Sequence, residues 1–375
     1  MEIIDVAIVG GGPAGASCAA FCAAAGLRTL VLEREKFPRE KVCGDCINPA
    51  CWPVLERLEV APEIRNCQHG LLNTVEFIGI GGRKLRVDLP RGEQIEIAIK
   101  RSLFDHVLLN RARSLGAEVR EEATVIALDR NAADRWKIDI VREMFAARVV
   151  VGADGRNSSV ARLRNLLPRP ERERVALQAH IPLPRDFGHR VVLQFLPEGY
   201  SGQAPVNESE LNLCLVGTPP TISSLRIWAE REFNLAGNQA WRTITPLTRA
   251  PIPVARENLF FIGDAARVVE PFTGEGIYYA LRSGELAAQA ITQILRGEDR
   301  SASGKATADR QSQDRQSILR EFARAHRAMY RGRLWINQLA RSAVLSPKFA
   351  SALLQLPILP RMILRPMTGR IVTDP

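Results

Sequence analysis

The chain has 375 residues, of which 46% are hydrophobic and 25% charged, and this balance is typical of a soluble globular protein. It excludes a mainly disordered chain, and no apolar run is long enough to span a bilayer. The formal net charge is +10, but residues 301–375 hold 13 Lys or Arg against 4 Asp or Glu, so the rest of the chain is nearly neutral.

The first residues and the cysteines indicate the compartment. Residues 1–10 contain Glu2 and Asp5 and enter a strand pattern directly, whereas a secretory signal places basic charge before an apolar helix. Seven cysteines are an odd number and do not make a disulfide framework in a chain of this size. We therefore expect a cytoplasmic protein with reduced thiols.

A strand, a glycine turn, a helix and a second strand are predicted at the start of the chain. Residues 3–9 form an apolar run that ends at Gly10-Gly11-Gly12. An Ala-rich helix is predicted over residues 13–26, and a second strand over residues 29–32. This order is the beginning of a parallel βαβ unit.

The glycine turn has the spacing of a dinucleotide-binding motif. In Gly10-x-Gly12-x-x-Gly15, the first glycine permits the tight turn, the second allows close approach of a pyrophosphate, and the third allows helix and strand to pack. The amide groups at the helix start then face the phosphates. Glu33, which closes the second strand, can accept hydrogen bonds from a ribose hydroxyl and disfavours a 2′-phosphate. The motif therefore predicts FAD or NAD, not NADP.

The sequence pattern over residues 71–245 predicts mainly antiparallel strands. Residues 71–99 alternate apolar and polar in short pieces, residues 102–115 have a helical pattern, and residues 117–151 again form strands. A further β-rich stretch runs over residues 175–245, before a buried strand at residues 259–262 and a long helix. This order predicts an α/β domain assembled from separated segments, with a mostly antiparallel domain inserted between them.

Two later strands also end in glycine and acid. The strand at 149–151 runs into Gly152-Ala153-Asp154-Gly155, and the strand at 259–262 runs into Gly263-Asp264. A carboxylate at such a strand end can bind a polyol hydroxyl. Pro271, Gly274 and Gly276 then open a helix whose amides can face the electron-rich ring of a reduced flavin.

In this order the motifs resemble the flavoprotein monooxygenase superfamily that includes p-hydroxybenzoate hydroxylase, over roughly residues 3–295. The resemblance implies an α/β fold with a Rossmann-like FAD-binding domain of the p-hydroxybenzoate hydroxylase type. It assigns Glu33 to the ADP half of FAD, Asp264 to the ribityl chain and pyrophosphate, and the segment 271–276 to the isoalloxazine ring. Asp154 is assigned to the flavin and to transient contacts with NADH or NADPH as electron donor. The full predicted set is Gly10, Gly12, Pro13, Ala14, Gly15, Glu33, Arg34, Lys41, Cys43, Arg101, Val125, Asp154, Gly263, Asp264, Pro271, Gly274, Glu275 and Gly276.

Domain boundaries follow from the same pattern. The FAD-binding domain is predicted over residues 1–70, 100–170 and 250–297, and the substrate-binding β domain over residues 71–99 and 171–249. Residues 298–315 lack apolar periodicity and predict an exposed linker, and residues 316–375 predict a basic helical segment. Apolar residues at helical spacing in that last segment are Ile318, Leu319, Phe322, Ala325, Met329, Trp335, Ile336, Leu339 and Val344.

The segment Lys41-Val42-Cys43-Gly44-Asp45-Cys46 resembles one that passes near the flavin in geranylgeranyl reductases and related lipid or polyketide oxidoreductases. This makes Cys43 the candidate catalytic residue. A Cys-x-x-Cys is also half of a zinc site, but no second pair completes it, so we predict no metal. A redox dithiol of Cys43 and Cys46 and plain packing beside the ring both stay open.

One departure from that branch concerns the substrate. Its reductases usually carry an aromatic-x-Trp-x-Phe-Pro segment, but the matching stretch here, residues 200–206, lacks the Trp. The Trp-x-Trp-x-Ile-Pro pattern of flavin-dependent halogenases is absent as well, and no second nucleotide motif indicates a dedicated NADPH domain.

Three functions remain. The leading one is a monooxygenase that hydroxylates or epoxidises an apolar aromatic, polyketide or isoprenoid substrate through a flavin hydroperoxide. The second is an ene-reductase of prenyl or quinone side chains, and the third is a flavin and dithiol redox sensor.

The basic C-terminal segment has two interpretations. Arg361 and Arg365 lie among Leu, Ile and Met residues, as expected of peripheral contact with an anionic membrane. A helix pair that closes the substrate cavity, with solvated charges, is the preferred interpretation. Nucleic acid is not an expected partner, because no recognition motif accompanies the charge.

Overall fold

The computed structural model describes residues 3–92, 95–131, 135–168, 174–269, 271, 274–302 and 308–331. The helices are Pro13–Ala24 (α1), Trp52–Arg57 (α2), Ala61–Asn66 (α3), Arg101–Ser114 (α4), Ser159–Leu163 (α5), Ile222–Glu232 (α6), Gly276–Ala302 (α7) and Ala308–Ala328 (α8). The strands are Ile3–Val9 (β1), Thr29–Leu32 (β2), Cys46–Ile47 (β3), Gly70–Leu72 (β4), Thr74–Ile78 (β5), Lys84–Asp88 (β6), Glu96–Ala98 (β7), Glu118–Arg120 (β8), Val125–Arg130 (β9), Trp136–Ile140 (β10), Met144–Gly152 (β11), Val175–Pro182 (β12), Arg190–Leu196 (β13), Gly199–Pro205 (β14), Glu210–Gly217 (β15), Arg242–Ile244 (β16), Ala255–Arg256 (β17) and Leu259–Phe261 (β18).

The first sheet has a parallel centre in the order β8-β2-β1-β11-β18. Val6 of β1 pairs with Thr29 on one side and with Val149 on the other. The strand order therefore reverses at β1, and in such sheets ligands bind at the carboxyl ends of the strands beside the reversal. The α/β fold with a Rossmann-like FAD-binding domain is confirmed.

Helix α1 lies against α7 at very close range. A Cβ atom on Gly284 of α7 would lie 2.5 Å from the carbonyl oxygen of Ala14, so only glycine fits there. The Ser17 hydroxyl also donates to the carbonyl of Leu281 at 3.0 Å. Residues far apart in sequence are thereby fixed beside the glycine turn.

The second sheet has seven strands in the order β16-β12-β15-β14-β13-β5-β6. All its neighbours are antiparallel except β13 and β5. A small sheet, β3-β7-β4, adjoins the second sheet. The two sheets approach closely at Gly70 of β4, where a Cβ atom would lie 1.8 Å from the carbonyl oxygen of Pro205. The chain thus leaves the first sheet to build this mostly antiparallel layer, as expected.

The structure differs from the sequence-based expectation at two places. Helix α6 lies within residues 175–245, where a β-rich stretch was predicted. The helix was missed because only Leu225 and Ala229 of its residues are buried, which gives a weak helical pattern. The linker predicted over 298–315 was too long, since residues 298–302 belong to α7 and residues 308–315 to α8. Residues 312–314 are exposed, so a helix there needs no apolar periodicity.

Helix α8 packs on the FAD-binding domain. The ring of Phe322 contacts Phe260 of β18 at a centroid distance of 5.3 Å, and Met329 and Tyr330 are buried. The predicted helical positions Trp335, Ile336, Leu339 and Val344 and the basic segment after residue 331 lie outside the described residues. Across the described ranges, none of the helices combines the length and the apolar character that a membrane span requires.

Candidate cofactor and substrate site

The three glycines of the N-terminal turn have different surroundings. Gly10 has a φ of +105° and a Cβ there would lie 2.5 Å from the Ala153 carbonyl oxygen, while a Cβ on Gly15 would lie 1.9 Å from the Gly10 carbonyl oxygen. A Cβ on Gly12 would meet only the Arg39 guanidinium, at 3.5 Å. Gly10 and Gly15 therefore serve packing, whereas Gly12 leaves the start of α1 open to a ligand.

Glu33 is held in place by the backbone. Its Oε2 accepts a hydrogen bond from the Gly11 amide at 2.7 Å, and its Oε1 accepts one from the Glu35 amide at 2.9 Å. Each carboxylate oxygen has a further lone pair for a hydroxyl group. The buried carboxylate lines the same cavity as the glycine turn, as a ribose ligand should.

A cavity of about 510 Å³ connects the two large sheets. Of the predicted site residues, it is lined by Gly10, Gly12, Pro13, Ala14, Glu33, Arg34, Lys41, Cys43, Arg101, Val125, Asp154, Asp264, Pro271, Gly274 and Gly276. Gly15 and Gly263 stand behind it as packing residues, since a Cβ on Gly263 would lie 2.9 Å from the Ala14 side chain. Glu275 is fully buried outside the lining. Contact of each residue with FAD stays a prediction.

Five cationic side chains line this cavity: Arg34, Arg39, Lys41, Arg101 and Arg156. Burial first, and then the charges of Arg101, Arg156 and Arg39, lower the pKa of Lys41 to about 8. Asp105 pairs with Arg101 and Arg39, and Asp264 pairs with Arg156, so part of this positive charge is already offset. A bound anion would further relieve the like charges that surround Lys41. Together with the open helix start at Gly12, these cations fit the diphosphate of FAD.

Arg156 and Arg249 fix the turn that carries Asp264. Arg156 Nη2 lies 3.2 Å from Asp264 Oδ2, and Arg249 Nη2 donates to the carbonyl groups of Asp264 at 2.7 Å and Ala265 at 2.6 Å. Neither Arg156 nor Arg249 belongs to the site residues predicted from the sequence. No local pattern marks Arg249, because its partners lie 15 and 16 residues away.

Asp154 has a structural task as well as its place in the cavity. Its Oδ2 accepts hydrogen bonds from Ser159 Oγ at 2.9 Å and from the Val160 amide at 3.0 Å, which fixes the start of α5. Its Oδ1 is buried and has no hydrogen-bond partner among the described residues. One oxygen thus remains for a bound molecule.

The segment with Cys43 and Cys46 is tied to the second sheet. The carbonyl of Cys43 accepts from Asn212 Nδ2 at 2.8 Å and from the Cys214 thiol at 3.3 Å. All seven cysteines are free thiols. Burial raises the pKa of the Cys43 thiol, although Arg101 opposes the effect, and burial raises the pKa of Cys46 well above its usual value. Neutral thiols are poor nucleophiles, so this geometry favours packing over dithiol chemistry.

The part of the cavity lined by the second sheet is mainly apolar, although Tyr200, Gln203 and Cys214 contribute polar groups to it. Glu96 of β7 lines it and is 9% exposed, and burial raises the pKa of its carboxyl to about 7. Sequence reasoning missed Glu96, because a Glu in a short alternating strand has the pattern of a solvated residue.

Glu96→Gln should stabilise the protein at alkaline pH. The folded state keeps the carboxyl proton up to about pH 7, whereas an unfolded chain releases it near its ordinary value, so stability falls as pH rises between the two. The amide removes this penalty, which reaches about 3 kcal/mol at pH 8. Thermal unfolding of the wild type and of Glu96→Gln at pH 8 and pH 4.5 measures this stabilisation, and the exposed Glu232→Gln is the control. An equal effect at both pH values would contradict the assignment.

A glycine-rich helix start, a buried acid after the second strand and a group of cations in one cavity are the features expected of an FAD-dependent oxidoreductase. Residues 3–184 match the family described as FAD binding domain. This match supports FAD as the cofactor, and the sequence relatives below, which include a digeranylgeranylglycerophospholipid reductase, agree with the resemblance to the geranylgeranyl reductase-related branch.

Several characterised proteins are similar in sequence. Menaquinone reductase of Mycolicibacterium smegmatis is 28% identical over 322 residues, which cover 77% of this chain and 76% of that protein. Digeranylgeranylglycerophospholipid reductase 1 of Methanopyrus kandleri is 27% identical, covering 80% and 83%. Conditioned medium factor receptor 1 of Dictyostelium discoideum is 28% identical over 80% of this chain, which spans only 65% of that protein.

Solved structures share the fold. The flavin-dependent brominase Bmp2 superposes with a TM-score of 0.77 at 20% identity, covering 99% of this chain and 95% of that one. PqsL of Pseudomonas aeruginosa, a probable FAD-dependent monooxygenase, superposes with a TM-score of 0.72 at 19% identity and 99% coverage of both. At this identity the likeness concerns the fold alone.

Proposed function

We propose that the protein is an FAD-dependent reductase that saturates a carbon–carbon double bond in the isoprenoid chain of an apolar, lipid-like substrate. The observation that carries the proposal is the continuous cavity, which runs from the glycine turn into an apolar lobe of the second sheet. Apolar side chains that line this lobe are Val75, Phe77, Leu89, Val191, Leu193, Val216 and Leu247.

The named substrates of the sequence relatives support this choice. Menaquinone and digeranylgeranylglycerophospholipid both carry polyisoprenoid chains, and the relatives named for them align over more than three quarters of this chain. Such a chain buries only CH groups, which suits an apolar lobe at roughly 25 cal/mol per Å² of buried area. For this reason we place reduction ahead of the hydroxylation that the sequence alone ranks first.

The residues of this chain would bind FAD, orient the substrate and exclude water from it. FAD supplies hydride transfer when bound. The open start of α1 and the cations Arg39, Lys41 and Arg156 would hold its anionic groups, while the walls of the lobe keep water from the reacting carbons. The acids Glu96 and Asp45 both line the cavity, and burial raises the pKa of Glu96 to about 7 and that of Asp45 to about 6.

NADH or NADPH is the proposed electron donor. A second, open cleft of about 470 Å³ adjoins the cavity and shares Lys41, Asp154 and Arg156 with it. Arg34 and Arg242 add two further cations to its lining. This surface suits the phosphates of a dinucleotide that docks transiently.

Hydroxylation or epoxidation of an apolar aromatic, polyketide or isoprenoid substrate is the second candidate. The same apolar lobe would protect an oxygen-activating reduced cofactor from water. A flavin and dithiol redox sensor has less support, because burial raises the pKa of both thiols. Peripheral membrane contact through the basic C-terminal segment stays a prediction.

Anaerobic turnover distinguishes the two enzyme functions. We expect the purified yellow protein, reduced by NADH or NADPH without oxygen, to be reoxidised by a short-chain menaquinone and to yield a product heavier by two hydrogen atoms in its side chain. Mass spectrometry measures the product, and protein stripped of FAD is the control. A product that forms only with oxygen, and gains an oxygen atom, would instead establish the hydroxylase.

A further inference from the structure

We propose that Glu40, His180 and Asp45 form a proton relay from the outer cleft to the cavity, with Asp45 as the acid that protonates the substrate. The inference rests on the proposed reduction, which needs one proton for each hydride transferred. An apolar lobe offers few water molecules as donors, so the proton has to come from a side chain at its edge.

Asp45 combines an unfavourable backbone conformation with a buried carboxyl group. It has a φ of +60° although it is not glycine, and its side chain is fully buried. Its Oδ2 lies 2.8 Å from His180 Nε2, while its Oδ1 has no hydrogen-bond partner among the described residues. A buried acceptor without a partner is costly, and Asp45 lines the cavity, so Oδ1 is available to a bound molecule.

His180 joins Asp45 to the outer cleft. Its side chain is 10% exposed, and its Nδ1 lies 4.0 Å from Glu40 Oε2, so a small rotation of the Glu40 side chain would bring the two groups into hydrogen-bond distance. The Glu40 side chain is 32% exposed and lines both the cleft and the cavity. The three groups therefore connect solvent to the cavity through a buried imidazole that can take and give a proton.

The charges around Asp45 suit a proton donor. Burial is the largest influence and raises the pKa of Asp45 to about 6, while the hydrogen bond and charge of His180 and the charge of Arg101 lower it and Glu40 raises it. The thiols of Cys43, Cys46 and Cys214 also lie within reach of the Asp45 charge, and burial raises the pKa of each. Asp45 thus exchanges its proton closer to neutral pH than an ordinary Asp does, as suits a general acid.

The step balances in atoms and electrons. The substrate double bond gains a hydride from the reduced cofactor at one carbon and the Asp45 proton at the other, so its π bond is replaced by two C–H bonds. The Asp45 carboxylate then regains a proton from His180, which is recharged from water through Glu40. NADH or NADPH returns two electrons to the cofactor, and one proton is consumed in each cycle.

Asp45→Asn and His180→Gln test the relay in the FAD-loaded protein. Asparagine tolerates a positive φ, and His106→Gln, another partly buried histidine away from the cavity, is the matched control. In anaerobic stopped flow with short-chain menaquinone, we expect Asp45→Asn to slow reoxidation about 100-fold and to leave reduction by NADH or NADPH unchanged. The rate of wild-type reoxidation should fall above about pH 6. The midpoint of this pH dependence should rise in His180→Gln, because that variant lacks the imidazole that lowers the pKa of Asp45.

Infrared difference titration without substrate gives an independent measurement. The protonated carboxyl band of Asp45 should be absent in Asp45→Asn, should titrate at higher pH in His180→Gln, and should be unchanged in His106→Gln. If the wild type is not reoxidised by the quinone, the proposed function fails, but these shifts still support the relay. Wild-type reoxidation in Asp45→Asn, or a carboxyl midpoint unmoved by His180→Gln, would overturn the relay.

Discussion

Gly12→Val should give a folded protein that purifies without yellow colour. The new side chain meets only the flexible Arg39 guanidinium within the protein, and Gly12 has an ordinary φ of −70°, so the fold tolerates it. The valine instead fills the open space at the start of α1 where the FAD pyrophosphate is expected. We expect FAD affinity to fall at least 100-fold, or roughly 2.7 kcal/mol, as measured by fluorescence titration of the apoprotein.

Substitutions at two other glycines distinguish loss of FAD binding from loss of folding. Gly26→Ala, at the far end of the same helix, has open space and should keep its FAD, at a cost of about 1 kcal/mol for its φ of +81°. Gly15→Val should fail to fold, because even a Cβ would lie 1.9 Å from the Gly10 carbonyl oxygen. Circular dichroism identifies the folded variants. Full flavin occupancy in Gly12→Val would show that the pyrophosphate lies elsewhere.

The cofactor half of the site was predictable because its signals are local. Each acid or glycine follows a strand directly, as Glu33 follows β2 and Asp264 follows β18. In a parallel sheet the carboxyl ends of the strands meet at one edge, so short motifs spread over 250 residues converge there. The hydrophobic run of each strand and the spacing of the glycines therefore predict both the fold and the position of the cofactor site.

The substrate half was not predictable, because its contacts join residues without a shared pattern. Asp45 and His180 are 135 residues apart, and Cys214 meets the carbonyl of Cys43 across 171 residues. Glu96 lies in a three-residue strand whose burial depends on the second sheet. Only the packing of the sheets brings these groups together.

Asp105→Ala should lower the free energy of unfolding by about 3–5 kcal/mol. Asp105 is fully buried, and its two oxygens accept from Arg101 Nε at 2.7 Å and Arg101 Nη2 at 2.8 Å, while Arg39 Nη1 lies 3.0 Å from Oδ2. Burial acts to lower the pKa of Arg101, but Asp105 and the Cys43 thiol raise it overall, so the guanidinium stays charged. Removing the carboxylate would leave two buried cations without their anion.

Urea unfolding of the apoprotein, followed by circular dichroism, measures this loss. Asp129→Ala, which removes an exposed carboxylate from β9, is the matched control and should change stability by less than about 0.5 kcal/mol. Because Arg101 and Arg39 line the cavity, Asp105 is the anion that holds a cationic site together before the cofactor binds. A loss of under about 1 kcal/mol would mean that water or a rearranged side chain already neutralises the pair.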